Sequence, residues 1–159
     1  MAKVTVKNAR RGQFGGLSPY GNATILGYTL KTNAIGAVVN GDKVTALAIG
    51  DVVDLGELPE GMRLADAQVF VTTAMTALVT GKLGFVYSDG VNSTEVPQDD
   101  SYFIASGGVL NAAGRLRANG TKLVTLPKPA RLILTVAGAD NAKEAQLHIE
   151  VLGELEGPR

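Results

Sequence analysis

The sequence predicts an all-β protein that is built from many short strands. Apolar and polar residues alternate along several segments, and successive side chains of a strand point to opposite faces. Gly, Pro, Asn or Asp divides most of these segments, and these residues favour tight turns. The 159 residues include 20 glycines and only 19 % charged residues, which is typical of a turn-rich β fold. We therefore expect a β-sandwich or a β-barrel.

The predicted strands follow one another from residue 23 to residue 152. Their ranges are 23–30, 34–39, 51–58, 62–73, 82–88, 121–126, 130–138 and 145–152. Pro59-Glu60-Gly61 separates the third strand from the fourth, since proline presets φ and glycine permits a reversal. Asp89-Gly90 follows the fifth strand and is a dipeptide typical of hairpins. Helical signals are few: 108–118 could form one or two turns, and 140–145 a single turn.

The last two strands are predicted to close the fold as an antiparallel hairpin with one apolar face. The residues of that face are Leu132, Leu134, Val136, Leu147, Ile149 and Val151. The only histidine, His148, falls on the polar face with Gln146 and Glu150. We therefore expect a surface histidine beside Glu150.

Composition limits the classes of protein to which the chain can belong. At 159 residues and 45 % hydrophobic content it can form one domain with a substantial core, and that core must be largely aliphatic because there is no Trp. The absence of cysteine excludes disulfides and thiolate metal sites. No secretory signal or membrane-spanning apolar run is found, so we expect a soluble protein that is made in a cytoplasm and has no membrane partner.

Charge is distributed unevenly although the net charge is zero. Residues 1–41 contain five basic and no acidic residues, whereas 42–100 contain ten acidic and three basic residues. Four glycines and one proline lie within 8–21, and glycine is costly to order. The sequence therefore predicts a flexible basic arm over 1–21 in front of a single β domain over 22–159. The alternative is that these residues form only a solvated tail.

No catalytic site or metal site is predicted. A serine nucleophile needs a histidine base, and His148 lies on a polar strand face with no nucleophile motif in support. Asp99-Asp100 is the best acidic pair, but we expect a turn in which one aspartate caps backbone N–H groups. Asp51 and Asp54 are three residues apart, as are Asp54 and Glu57, and this spacing alternates faces along a strand, so these carboxylates should not converge.

Cofactor and nucleic-acid motifs are also missing. The segment 79–84 contains a Gly-Lys pair like that of a phosphate-binding loop, but the first glycine is absent and Leu83 takes the Ser/Thr position. The basic residues are not interleaved with stacking aromatics in any recognisable module. We expect neither a cofactor nor a nucleic-acid partner.

Several segments resemble the small β-structured head decoration, or cement, proteins of tailed bacteriophages. The resemblance covers roughly 50–151 and is carried by 50–69, 83–90, 96–103 and 126–140. It rests on strand–turn–strand patterns, on a strand that closes on Tyr-x-Asp-Gly, and on Leu-Pro-Lys before the penultimate strand. None of these features is a catalytic signature.

The resemblance implies a jelly-roll-like antiparallel β-sandwich and a non-enzymatic role. Such a protein is made in the bacterial host cytoplasm and assembles as a homodimer or homotrimer on the outer capsid surface of the virion. There it would bind the major capsid protein, cement neighbouring subunits and stabilise the expanded head. A glycine-rich arm that orders on binding can wrap a seam between subunits, and many identical lattice sites add weak contacts together.

Basic and aromatic residues of the arm are the candidates for capsid binding. They are Lys3, Lys7, Arg10, Arg11, Phe14 and Tyr20. Two alternatives compete with this function. A carbohydrate-binding, lectin-like sandwich would stack sugars on exposed aromatics, for which the chain offers four Tyr and four Phe. A hydrolase would depend on His148 or on the Asp99-Asp100 pair.

Overall fold

A computed structural model describes residues 2–5 and 23–155, and within these ranges it contains ten strands and no helix. The strands are β1 (Lys3–Thr5), β2 (Ala23–Thr32), β3 (Val52–Leu58), β4 (Met62–Thr73), β5 (Thr80–Tyr87), β6 (Asp99–Val109), β7 (Gly114–Arg117), β8 (Val124–Thr125), β9 (Ala130–Ala137) and β10 (Ala145–Leu155). The all-β prediction is confirmed. In these ranges no helix is long and apolar enough to cross a membrane.

The strands form two sheets that pack face to face. The first sheet has the order β1-β3-β9-β5-β6, and the second has the order β2-β10-β4-β7, with β8 also paired to β4. Every pairing is antiparallel except that of β1 with β3. The predicted antiparallel β-sandwich is therefore confirmed, whereas its finer description as a jelly roll stays a prediction.

The prediction of a closing hairpin is wrong. β9 lies at the centre of the first sheet between β3 and β5, and β10 lies in the second sheet between β2 and β4. The connection over 138–144 therefore crosses from one sheet to the other. Alternation had correctly assigned the inward faces, because all six predicted core residues of these strands are at most 1 % exposed. It carries no information on which strands pair.

Other local predictions also differ from the structure. Residues 34–39 form turns with one isolated bridge from Val38 to Thr32, and not a strand. The two expected helical segments are instead strand and irregular structure, since 108–118 contains the end of β6 and all of β7. The long strand β6 was not expected, and 121–126 contains only the two residues of β8.

The core is aliphatic with a small aromatic cluster at one place. Phe85 and Tyr102 pack edge to face with ring centroids 5.5 Å apart, and Tyr102 packs against Phe103 at 4.8 Å. The Tyr102 hydroxyl donates to the Lys122 carbonyl oxygen at 2.8 Å and accepts from the Val124 N–H at 3.2 Å. One buried tyrosine of β6, in the first sheet, thereby holds the short strand β8 of the second sheet.

Gly84 allows the backbone of β6 to lie directly over β5. The register of β6 jumps between the Leu83–Ile104 and Phe85–Asp99 pairs. A Cβ atom on Gly84 would lie 2.1 Å from the Asp99 carbonyl oxygen, which is far inside van der Waals contact. Glycine is required here because the β6 backbone occupies the place of a side chain.

Gly84→Ala should therefore lower the free energy of unfolding by about 2 kcal/mol or more, since overpacking against backbone cannot relax easily. Gly27→Ala is the matched control within a strand, because its Cβ would lie 3.7 Å from the His148 Cε1 in ordinary contact. The control should change stability by less than about 0.5 kcal/mol. Equilibrium urea unfolding measures both variants, and equal losses would contradict the packing argument.

Candidate functional site

The first described residues of the predicted arm form β1, an edge strand of the first sheet. β1 pairs in parallel with β3, with Lys3 opposite Val52 and Val4 opposite Val53. The Val4 side chain is completely buried in the core. The Lys3 Nζ lies 3.3 Å from the Asp54 Oδ2, and the Lys3 side chain is 62 % exposed. The remaining predicted capsid-binding residues lie outside the described residues: Lys7, Arg10, Arg11, Phe14 and Tyr20.

Asp54 and Glu57 converge on Arg131, contrary to the prediction. The Arg131 Nε lies 2.9 Å and 3.1 Å from the two carboxylate oxygens of the buried Asp54, and the Arg131 Nη1 lies 3.6 Å from the Glu57 Oε1. A bulge in β3 between Asp54 and Gly56 shifts the alternation by one residue. The two carboxylates therefore share the outer face, where a guanidinium neutralises them and no metal ion is needed.

Asp51 joins the start of the chain to the loop before β3. Its carboxylate pairs with Lys43 and accepts hydrogen bonds from the Ala48 N–H at 2.9 Å and the Ala2 N–H at 3.3 Å. Burial raises the pKa of Asp51, but the lysine and the backbone donors outweigh burial and hold that pKa below its ordinary value. The ionised carboxylate therefore stabilises the contact between Ala2, which precedes β1, and the loop before β3.

His148 lies on the outer face of the second sheet beside Glu150, as predicted. Its Nδ1 lies 3.3 Å from the Thr29 Oγ1, and its Nε2 lies 3.5 Å from the Glu150 Oε1. The centroid of its ring lies 6.2 Å from that of Phe70 on the neighbouring strand β4. The guanidinium carbon of Arg115 lies 5.4 Å from the centroid of the Phe70 ring. These side chains form a row across the sheet, and the contacts of His148 in it are those of a surface residue.

Phe70 is the least buried aromatic residue in the described part of the chain. The other described aromatics are buried in the core: Tyr28, Phe85, Tyr87, Tyr102 and Phe103. Because Arg115 already covers the Phe70 ring, the described residues present no bare aromatic platform of the kind expected for a lectin-like site.

Asp99 and Asp100 open β6 and do not form a turn. The Asp99 Oδ1 accepts from the Ser101 N–H at 2.9 Å and from the Ser101 hydroxyl at 2.7 Å, so the expected capping is present. The hydroxyl bond, more than any other contact, holds the pKa of Asp99 below its ordinary value. Asp100 pairs with Lys82. Over 2–5 and 23–155, no group of three or more acidic or histidine side chains is arranged to hold a metal ion.

Asn141 is completely buried in the connection between β9 and β10, and the sequence did not single it out. Its Oδ1 accepts from the Thr76 N–H at 3.0 Å and from the Thr76 hydroxyl at 3.2 Å. Its Nδ2 donates to the Thr32 Oγ1 at 3.1 Å and to the Lys143 carbonyl oxygen at 2.9 Å. Its backbone N–H donates to the Leu47 carbonyl oxygen at 2.8 Å. The residue therefore joins its own connection to the end of β2, to the loop before β3 and to the loop between β4 and β5.

The loops that Asn141 joins expose several large aliphatic side chains. Leu78 is 72 % exposed and has a positive φ of 68°, which is unfavourable for a branched residue. The other exposed aliphatic residues of these loops are Ile35, Val39, Val44 and Ile49. An ordered loop end with outward apolar side chains is typical of a surface that contacts another protein.

The same fold is found in the capsids of two bacteriophages. A chain in the capsid of Ralstonia phage GP4 matches with a TM-score of 0.65 and 16 % identity, over 99 % of this chain and 100 % of that chain. A chain in the capsid asymmetric unit of cyanophage Pam1 matches with a TM-score of 0.58 and 12 % identity, over 92 % and 94 %. At the level of the fold, the likeness to phage head proteins is confirmed. Comparisons with models of known families and with curated proteins found no match.

Asn141→Ala should lower the free energy of unfolding by at least about 2 kcal/mol, because it removes the four hydrogen bonds that a completely buried amide makes with Thr76, Thr32 and Lys143. Asn119→Ala is the matched control, since Asn119 is exposed and its side chain accepts one long bond of 3.4 Å from the Ala105 N–H. Thermal and urea unfolding measure the difference. Similar stability of the two variants would contradict the role of Asn141.

Asp51→Asn should lower the free energy of unfolding at neutral pH. That free energy should then decline less than in the wild type as the pH is lowered. A folded-state pKa below the ordinary value of 3.8 stabilises the fold above that value, and the stabilisation is lost as the pH falls through the folded pKa. Urea unfolding from about pH 6 to about pH 3 follows this loss. Glu144→Gln, which removes an exposed carboxylate before β10, should keep the wild-type profile. Parallel profiles for all three proteins would contradict the assignment.

Proposed function

We propose that this is a structural, non-enzymatic virion protein that binds the outer surface of a bacteriophage capsid. It cements neighbouring major capsid subunits and stabilises the expanded head. The observation that carries the proposal is the likeness in fold to a chain of the Ralstonia phage GP4 capsid, which extends over practically the whole of both chains. The protein is made in the host cytoplasm, and its partners are the major capsid protein and further copies of itself.

The anchored N-terminus supports a capsid-binding role for the basic arm. β1 places Lys3 on the outer face of the first sheet, next to Asp54 and Arg131. The residues that follow β1 carry the further positive charges of the arm and its two aromatic side chains, which we assign to the contact with an acidic seam between capsid subunits. Electrostatic attraction orients such a contact and accelerates binding.

The hydrogen bonds of the β domain also suit a protein that holds neighbouring capsid subunits together. Asp51 and Asp54 tie the start of the chain to the loop before β3 and to β9, so a pull on the arm is transmitted to the centre of the first sheet. Asn141, which follows β9 of the first sheet, is hydrogen-bonded to the end of β2 and to the loop after β4, both of the second sheet. A load is therefore shared among many hydrogen bonds and not taken by one loop.

Expanded heads that lack the protein should bind it in a fixed ratio to the major capsid protein and become more resistant to heat. The reason is that each bound copy bridges subunits that otherwise separate, and repeated lattice sites add their contributions. Sedimentation of heads with purified protein gives the ratio, and genome release on heating gives the stabilisation. Failure to bind any expanded head would contradict the proposal.

The role of the arm is tested by charge removal and not by truncation. Deletion from residue 1 would remove β1 and the buried Val4, so a binding defect could come from a damaged fold. The triple variant Lys7→Ala, Arg10→Ala and Arg11→Ala should weaken head binding at least about tenfold, which is 1.4 kcal/mol. The matched control removes three exposed lysines of the body: Lys31, Lys122 and Lys143. Equal weakening by both triple variants would refute the assignment to the arm.

A further inference from the structure

The chain contains two Asn-Gly dipeptides, Asn40-Gly41 and Asn119-Gly120, and both asparagines are exposed to solvent. An asparagine that precedes glycine can lose ammonia, because the glycine nitrogen lies near the side-chain amide and no Cβ beside that nitrogen hinders its attack. The attack requires a nitrogen that is free to give up its proton. The hydrogen bonds of each glycine N–H therefore distinguish the two sites.

The attacking nitrogen of the first dipeptide is engaged in a turn. The Gly41 N–H donates to the Val38 carbonyl oxygen at 3.2 Å. Asn40 has a positive φ of 61°, a left-handed conformation that asparagine tolerates in turns. Loss of the proton from Gly41 would break the hydrogen bond that closes this turn, and the lost bond adds to the barrier.

The attacking nitrogen of the second dipeptide is not engaged in this way. Asn119 and Gly120 lie in the irregular connection between β7 and β8. The Asn119 N–H donates to the Phe103 carbonyl oxygen of β6 at 2.9 Å, which fixes the position of the asparagine. The Gly120 N–H makes no hydrogen bond with any described residue. Removal of its proton therefore costs no contact of the fold.

The carbonyl under attack also has a hydrogen-bond donor at the second dipeptide. The Asn119 Oδ1 accepts from the Ala105 N–H at 3.4 Å. Negative charge develops on this oxygen as a nucleophile adds to the side-chain carbonyl, and a donor that is already aimed at the oxygen lowers the barrier. A bond that is long in the ground state can tighten as the charge develops. The Asn40 side chain has no such donor among the described residues.

We propose that Asn119 is a site of self-modification, at which the folded protein converts asparagine into aspartate or isoaspartate with water as the only co-reactant. The Gly120 nitrogen attacks the Asn119 Cγ, and the new bond closes a succinimide ring. The bond from Cγ to Nδ2 breaks, and the amide nitrogen leaves as ammonia with the proton of the Gly120 nitrogen. Water then opens the ring at Cγ to give aspartate, or at the backbone carbonyl to give isoaspartate. Either product adds one negative charge to a chain of zero net charge.

The two products differ in their effect on β6. An aspartate leaves the backbone unchanged, and its carboxylate can accept the Ala105 N–H in a stronger, charge-assisted hydrogen bond. An isoaspartate adds one carbon to the backbone between residues 119 and 120. The backbone has no room to shift towards β6 at this point, since a Cβ atom on Gly120 would lie 2.5 Å from the Tyr102 carbonyl oxygen. The isoaspartate therefore displaces the connection between β7 and β8 from β6, whereas the aspartate keeps it in place.

Peptide mapping by mass spectrometry, after incubation of the purified protein in mildly alkaline buffer, measures conversion at both sites in one sample. In the folded protein residue 119 should convert at least about tenfold faster than residue 40, since one hydrogen bond on the attacking nitrogen is worth about that factor. In urea both dipeptides lose their contacts, and the two rates should become similar. Asn119→Gln should abolish conversion at residue 119, because glutamine must close a larger ring, and should leave the rate at residue 40 unchanged. Circular dichroism verifies that this variant is folded.

Equal conversion of the two sites in the folded protein would overturn the inference, as would faster conversion at residue 40. A preference for residue 119 that persists unchanged in urea would also overturn it, because the preference would then come from the local sequence and not from the contacts of the fold. The effect on β6 is measured on the two products after chromatographic separation. The isoaspartate form should unfold at a lower urea concentration than the aspartate form, and equal midpoints would contradict the displacement. These measurements are made without heads, so their result is independent of the proposed capsid role.

Discussion

The buried amide of Asn141 determines how the chain passes between the two sheets, and the rest of the sandwich depends on that passage. The segment that contains it leaves the central strand of the first sheet and enters β10, which lies inside the second sheet. Every hydrogen-bonding group of the amide is used, two on the oxygen and two on the nitrogen. A buried polar network is stabilising only when it is fully satisfied, so it selects one geometry of the crossing over others.

The crossing explains which parts of the fold the sequence could predict. Period-2 alternation identified the inward rows of β9 and β10, because side-chain direction is a local property of a strand. Pairing is not local, and the hairpin prediction failed because two adjacent strands with apolar faces can enclose a core from opposite sheets as well as within one. The hairpin prediction treats the polar residues between these strands as a turn, whereas one of them, Asn141, is buried and hydrogen-bonded to Thr76 and Thr32.

A bulge explains the wrong prediction at the candidate site. Strict alternation separates Asp54 from Glu57, but the bulge at Gly56 returns both to the face of Arg131. In β4, strict alternation would place Ala65 on the inner face with Ala67, but a register shift opposite Leu152 and Gly153 leaves Ala65 exposed while Leu64 and Ala67 are both buried. A bulge depends on the partner strand, so no local sequence pattern predicts it. The sequence predicted the surface position of His148 correctly because β10 has no bulge there.

The proposed contact between the arm and the capsid is electrostatic in character. The arm offers exposed positive charges, whose attraction to an acidic surface is screened over roughly 8 Å at physiological ionic strength. Attachment to the capsid should consequently weaken strongly as the salt concentration rises. The buried carboxylates Asp51 and Asp54 of the β domain are already paired with Lys43 and Arg131. We therefore assign the electrostatic contact with the capsid to the arm.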